Sequence, residues 1–242
     1  MKITILTIFP EMFEGFINTS IIKKAVLQKF VDIEVVDFRP YTKDKHNRVD
    51  DTPYGGGPGL VLKYEPIVDA LKAVKTEDSY TIMMTPAAPL YKQKQAHILS
   101  KKEHIIIICG HYEGYDERIL THVDACVSIG DYILTGGELG AMVVSDSIIR
   151  LIPGVITSDS IESESFENGL LEHAQYTKPQ TIDGLSVPDV LVSGHHENIN
   201  QYRHENSLIK TYINRPDLLE NYNLIEKDVQ ILNAYNSHKR ED

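Results

Sequence analysis

The sequence predicts an α/β fold with a parallel sheet, followed by a small helical domain, and three observations carry that prediction. Apolar strand-like runs alternate with stretches of helical spacing from residue 2 to residue 151. Two of those runs, 105–109 and 125–129, stop at glycines. The alternation ends after Pro153-Gly154, and beyond it only helical spacing returns. Strands alternating with helices build a parallel sheet covered on both faces.

Each element has its own reason. Residues 2–9 are rich in β-branched side chains and read as a first strand, and Pro10 suits the first turn of a helix. Met12, Phe13 and Phe16, then Ile21, Ile22, Ala25 and Val26, follow helical spacing. A second strand is expected over 33–38. The polar stretch 39–60, which holds YGGGPG, reads as a long loop, and loops of that length in a compact domain are functional or disordered. Helices are expected over 65–74 and 92–101, with a third strand over 80–84 between them. The two glycine-ended strands follow, with a short helix over 116–121 between them, and a helix over 138–151 closes the first domain. That domain is expected to span 1–157. Residues 158–170 are acidic, Ser-rich and aperiodic, as a mobile linker would be. Residues 171–242 form the helical domain, with helices over 196–212 and 224–235, a turn begun by Pro216, and no strand pair expected.

Composition narrows the classes. The 242 residues are 42% hydrophobic and 24% charged, as in ordinary globular domains. No apolar run approaches the roughly 18 residues of a membrane helix. The start, MKITILTIFPEMF, lacks a small-residue cleavage site and reads as a strand rather than a signal peptide. Cys109 and Cys126 lie in apolar runs without CxxC spacing, which fits reduced thiols in a cytoplasmic protein. A net charge of −11 opposes indiscriminate nucleic-acid binding, but the charge is uneven. The stretch 39–48 carries four basic residues against one acid, and 158–172 carries five acids and no Lys or Arg.

Gly110 and Gly114 follow the first glycine-ended strand; Gly130, Gly136 and Gly137 follow the second. Ligands of open α/β sheets sit beyond the carboxyl ends of the strands, so five glycines within 28 residues at two such ends point to one cleft. YGGGPG lacks the GK[ST] ending of a P-loop, and no GxGxxG follows the first strand, which speaks against a nucleotide-dependent oxidoreductase. No histidine spacing suggests a metal site. Asp116, Glu117 and Arg118 are explained by a helix start. Glu113 within the turn, and Arg150 beside the acidic segment, are less easily dismissed.

The strings VDDTPYGGGPG, CGHYEGYDER, SIGDYILTGGEL, RLIPGV, SFENGLLE, QYTKP and VPDVLVSGHH, in that order, resemble the successive signatures of the bacterial tRNA (guanine-N1)-methyltransferases, within the SPOUT superfamily. The likeness runs from Lys2 to about Leu219. It implies a sheet tied in a deep trefoil knot, which periodicity cannot reveal. It implies S-adenosylmethionine held between three loops: Met83, Met84, Thr85 and Pro86; Gly110, Tyr112, Glu113 and Gly114; and Ile129, Gly130, Asp131, Tyr132, Ile133 and Leu134, then Gly136, Gly137 and Gly140. Family members usually have proline where Gly140 stands. The substrate implied is tRNA, contacted by Asp50, Tyr54, Gly55, Gly57, Ser165, Glu172, Arg203 and Arg215. Arg39, Lys43, Lys45, Arg48 and Lys210 are further candidates for phosphate contact. A homodimer and possible magnesium assistance are also implied, with no membrane attachment.

Methylating N1 of neutral guanine requires a base to take its proton and a cation or N–H donor for the charge that grows on O6. The family's arginine before IPGV matches Arg150. Its aspartate base corresponds to Glu164, with Glu162 a competing carboxylate. The rivals are another SPOUT methyltransferase and a noncatalytic RNA-binding descendant.

Overall fold

The computed structural model describes residues 1–238, and the chain divides into two compact units, Met1–Thr157 and Ser158–Asp242. Residues 239–242 of the expected helical domain lie outside the described residues.

The first unit begins with β1 (Lys2–Thr7), a 3-10 turn at Pro10, α1 (Glu14–Ile17) and α2 (Ser20–Leu27). The spacing predicts one helical stretch here, but it is broken before α2, where Ser20 takes a positive φ of 51°. β2 (Asp32–Asp37) follows. The long loop is not featureless: β3 (Asp50–Asp51) pairs antiparallel with β4 (Val61–Leu62), folding the glycine-rich tip back on itself. Next come α3 (Tyr64–Val74), β5 (Ser79–Met84), α4 (Gln93–Leu99), β6 (His104–Cys109), a 3-10 helix over Glu117–His122, β7 (Ala125–Val127) and α5 (Glu138–Ile149). The last strand is shorter than expected, because Ser128 leaves the sheet to bridge Leu90.

All five strands of the main sheet run parallel, in the order β2-β1-β6-β5-β7. Both faces are covered, which is why β6 is buried at all six positions and its sequence is continuously apolar. Ile105 and Ile107 pack with Ile3, Ile5 and Ile82 against Val144 and Ile148 of α5. Ile106 and Ile108 point the other way and pack with Leu6 and Met83 against Ile67 and Leu71 of α3. β5 sends the chain to β6 on one side, and β7 returns on its other side. That reversal opens a crevice at the carboxyl ends of these strands.

The second unit starts with a short helix, α6 (Ser158–Glu162), where an aperiodic linker is expected. The turns after it are tied by bonds from Phe166 N–H to the Leu170 carbonyl (2.8 Å) and from Glu172 N–H to Ser165 Oγ (3.0 Å). A hairpin absent from the sequence reading, β8 (Thr181–Ile182) and β9 (Leu185–Ser186), turns through Asp183 and Gly184, both at positive φ. α7 (Asp189–Val192), α8 (His196–Asn214), α9 (Pro216–Leu219) and α10 (Glu226–His238) follow. Leu170, Leu208 and Leu232 form a small core among them. Asp228, 2% exposed, takes His204 Nε2 at 2.7 Å and caps α10 through the Ile225 N–H at 3.1 Å.

Candidate active site

Three connections leave the carboxyl ends of β5, β6 and β7 and meet in one cavity of about 470 Å³, a volume typical of small-ligand sites. The first and third are zipped together: Thr85 N–H donates to the Val127 carbonyl (3.1 Å), Tyr91 N–H to the Ser128 carbonyl (2.8 Å), and Ser128 N–H to the Pro89 carbonyl (3.2 Å). The third then doubles back to β6, where Gly137 N–H donates to the Gly110 carbonyl at 2.8 Å. A β-carbon on Gly137 would stand 2.9 Å from both Cys109 Cα and Gly110 N, so this approach admits only glycine.

The structure brings most of the predicted cofactor residues to this cavity. Met84, Thr85, Pro86, Gly110, Tyr112, Glu113, Gly114, Ile129, Gly130, Tyr132, Ile133, Leu134, Gly136, Gly137 and Gly140 line it. Met83 and Asp131 do not: the side chain of Met83 is fully buried in the opposite core layer. Ala87, His111, Tyr115, Val127, Ser128 and Thr135 join the lining without having been singled out. His111 and Tyr115 stand inside the CGHYEGYDER string, and their nearness to glycines at a strand end was the available signal.

The walls are apolar, from Val127, Ile129, Ile133 and Leu134, while the turns at Gly110, Gly130 and Gly136 expose backbone. Tyr132 folds back over Gly130 and donates its hydroxyl to the Ile129 carbonyl (3.3 Å). Tyr112 sits at φ 59°, a left-handed conformation that a non-glycine residue holds only when its surroundings enforce it. One such tie is a hydrogen bond to Asp50; burial, more than that carboxylate, pushes its phenol above the usual range. Burial likewise raises the phenol of Tyr115, which shares a hydrogen bond with Thr85.

The glycine-rich tip is fastened to the same cavity. Glu113 N–H donates to the Leu60 carbonyl (3.0 Å) and Leu62 N–H to the Gly114 carbonyl (3.0 Å). Gly59, at φ 79°, leaves room for the Glu113 side chain, which fills the space a β-carbon would need. Tyr54 is fully exposed at the tip, and Gly55 and Gly57 beside it take positive φ.

Arg150 follows α5 as its C-cap in the first unit. Glu164 lies in the second unit, half-buried on the turn after α6, and Glu162 is exposed at the end of that helix. Also in the second unit, Ser165 holds the Glu172 N–H, and the Glu172 carbonyl accepts from Lys210 Nζ (3.0 Å). Arg215 pairs with Asp217 (2.7 Å) and lies over the Phe166 ring (5.7 Å). Arg39 and Arg48 are likewise paired, to Asp37 and Asp44 (both 2.9 Å).

Arg203 differs. It lines a second, open cavity of about 1010 Å³ with His173, Tyr176, Lys178, Leu191 and Ile199. Among the described residues, neither Arg203 nor Lys178 has an ion-pair partner. Tyr176 and Lys178 stand in the QYTKP string, whose alternation of aromatic and basic residues was the signal for them. Among the described residues, no group of three or more His, Cys, Asp or Glu is placed to hold a metal ion, and no helix is long and apolar enough to cross a membrane.

The sequence is similar to known proteins along nearly its whole length. The family model described as tRNA (Guanine-1)-methyltransferase TrmD matches residues 1–221. A tRNA (guanine-N(1)-)-methyltransferase of Malacoplasma penetrans is 56% identical over 222 residues, covering 92% of this chain and 98% of that protein. Proteins of the same name from Dictyoglomus turgidum (49% over 243 residues, 100% and 99% covered) and Staphylococcus aureus strain N315 (53% over 238 residues, 97% of each) are similar along their whole length. With a match over nearly the full chain, this protein belongs to the tRNA (guanine-1)-methyltransferase family, TrmD.

Proposed function

We propose that this chain methylates N1 of the guanine immediately 3′ of the anticodon in tRNA, using S-adenosylmethionine and leaving 1-methylguanosine and S-adenosylhomocysteine. The observation that carries this reading is the convergence of three strand-end loops on one apolar-walled cavity with exposed backbone at its glycines, in a chain of this family. Such a cavity suits a flat purine and a flexible charged tail. Bound there, S-adenosylmethionine supplies an electrophilic methyl group on a sulfonium. Backbone at Gly110, Gly130 and Gly136 reads the polar edges, and Ile129, Ile133 and Leu134 hold the apolar part. Glu164 takes the N1 proton and Arg150 offsets the charge that grows on O6.

A knotted path through the sheet belongs to the same proposal, supported by the return of the third loop from β7 to the end of β6. So does a homodimer, supported by α5, whose Leu139 and Val143, one turn apart, remain half-exposed while its other apolar side chains pack in the core. tRNA would use the exposed tip around Tyr54 and the second cavity with Arg203. Magnesium assistance belongs to the same proposal, and the site of action is the cytoplasm.

The test is methyl transfer from labelled S-adenosylmethionine to a tRNA transcript with guanine 3′ of the anticodon, followed by mapping of the product. Wild type is expected to modify N1 of that guanine. Glu164→Gln should lose about 10²- to 10⁴-fold in rate, and Arg150→Ala should also fall. Transfer that survives Glu164→Gln moves the base to Glu162 or to water. No transfer by the wild type overturns the reading.

A further inference from the structure

A carboxylate is buried immediately behind the wall of the first cavity. Glu138 opens α5, is 2% exposed, and accepts a hydrogen bond from Thr7 Oγ1 at 2.8 Å through Oε1. Thr7 is fully buried at the end of β1, and its Oγ1 also takes the Phe9 N–H at 2.9 Å. The second oxygen of Glu138 presses so closely on Gly136 that no β-carbon could stand there. Nδ1 of His111 reaches the same spot, 2.6 Å from where that β-carbon would be. This Nδ1 is buried and has no hydrogen-bond partner among the described residues. Gly136 and His111 line the cavity, whereas Glu138 stands one layer behind them.

A charge buried this deeply is costly unless something offsets it, and an apolar pair could staple β1 to α5 equally well. Here the carboxylate stands at the first position of a helix, where the backbone dipole attracts negative charge, and the Thr7 hydroxyl donates to it. The Cys109 thiol, next to Gly110, is pushed well up by burial first and by Glu138 second. With little water between them, charges interact over longer distances than they would in solvent.

The inference that follows rests on the reading of this cavity as the methyl-donor site. The donor carries a sulfonium cation; once the methyl group has left, the product is a neutral thioether. The two molecules are otherwise alike in every group the loops can touch. We propose that Glu138 sets the preference of the pocket for the cationic donor over its neutral product, discriminating by charge at a distance rather than by contact. Because the cation disappears during transfer, this field favours donor binding and exchange of spent product and slightly opposes the chemical step, since it stabilises the bound cation more than the transition state.

Titration calorimetry with S-adenosylmethionine and S-adenosylhomocysteine tests it without turnover. The ratio of product Kd to donor Kd should fall about tenfold in Glu138→Gln, equivalent to about 1.4 kcal/mol. Glu138→Asp keeps the charge and should hold the ratio within about threefold, even as both ligands weaken. A structural staple would weaken both ligands in step, so an unchanged ratio in Glu138→Gln overturns the proposal. If Glu138→Gln does not fold, Glu138→Met combined with Thr7→Val, an apolar staple without the charge, takes its place: a ratio that falls about tenfold supports the proposal and an unchanged one overturns it. Wild-type protein that binds neither ligand overturns the reading of the cavity itself. Wild type that binds both, with a ratio indifferent to Glu138→Gln, overturns only this inference.

Discussion

Nε2 of His104 lies 2.9 Å from Oγ1 of Thr4, tying β6 to β1 at the end of the sheet away from the cavity. The other ring nitrogen meets Ser79 Oγ of β5 at 2.7 Å, so one imidazole joins three neighbouring strands. Burial first, and then the Lys2 charge, hold its pKa below the ordinary value, with Glu34 opposing. The unfolded chain takes up this proton near pH ~6.5, the folded chain only at lower pH. Stability that depends on the neutral ring is therefore complete above the unfolded pKa and is lost as pH falls through the lowered folded one. The urea midpoint of the wild type should drop between about pH 7.5 and 5.5, while His104→Gln, less stable by about 1–3 kcal/mol, should show a flatter profile. Equal slopes would refute this.

Gly137→Ala should damage the cavity more than the fold. Its β-carbon would meet backbone at Cys109 and Gly110, which cannot swing aside as a side-chain tip can. The third loop must then lift from β6 and lose the bond to the Gly110 carbonyl. Donor binding is expected to weaken at least tenfold, about 1.4 kcal/mol, with a melting temperature that changes little. Unaltered affinity would mean that the loop tolerates the displacement.

The two glycine clusters illustrate how much of the site the sequence holds. Glycine at a strand end is a local signal, so Gly110, Gly114, Gly130, Gly136 and Gly137 could be assigned to one cleft before any coordinates. The five-stranded parallel sheet was legible for the same reason, since strand and helix periods alternate residue by residue. The β8–β9 hairpin was missed although its Asp183-Gly184 pair, both at positive φ, is a strong short-range turn signal. Two-residue strands leave too little alternation around the turn to register. Strand order, and with it the approach of Glu138 to Thr7 across 131 positions, depends on packing of distant segments and has no signature in local spacing. Glu138 reads in sequence only as an acid at a helix start.

Gly140 lies in the first turn of α5, where glycine costs up to about 1 kcal/mol relative to alanine. An added β-carbon would meet Met84 Cε at 2.8 Å, the mobile end of a flexible side chain. Gly140→Ala should therefore raise stability by about 0.5–1 kcal/mol, read as a higher melting temperature. Because Gly140 lines the cavity, donor affinity should be measured alongside. A lower melting temperature would show that Met84 has nowhere to move.

Among the described residues, Arg203 and Lys178 of the second cavity have no ion-pair partner, in contrast to Arg39, Arg48 and Arg215, each held by a nearby aspartate. A paired guanidinium must give up its partner before it can serve a phosphate, whereas these two need not. In a chain of net charge −11, that difference decides where an RNA backbone gains most. Arg203→Ala with Lys178→Ala should weaken tRNA binding and reduce the slope of log K against log salt by roughly 1.4–1.8, the value for two lost phosphate contacts. Arg39→Ala, which mainly releases Asp37, should change the slope by less. Binding measured across a salt series separates the two cases: an unchanged slope in the double variant removes the second cavity from the RNA path, and an equal loss in Arg39→Ala removes the distinction between paired and unpaired cations.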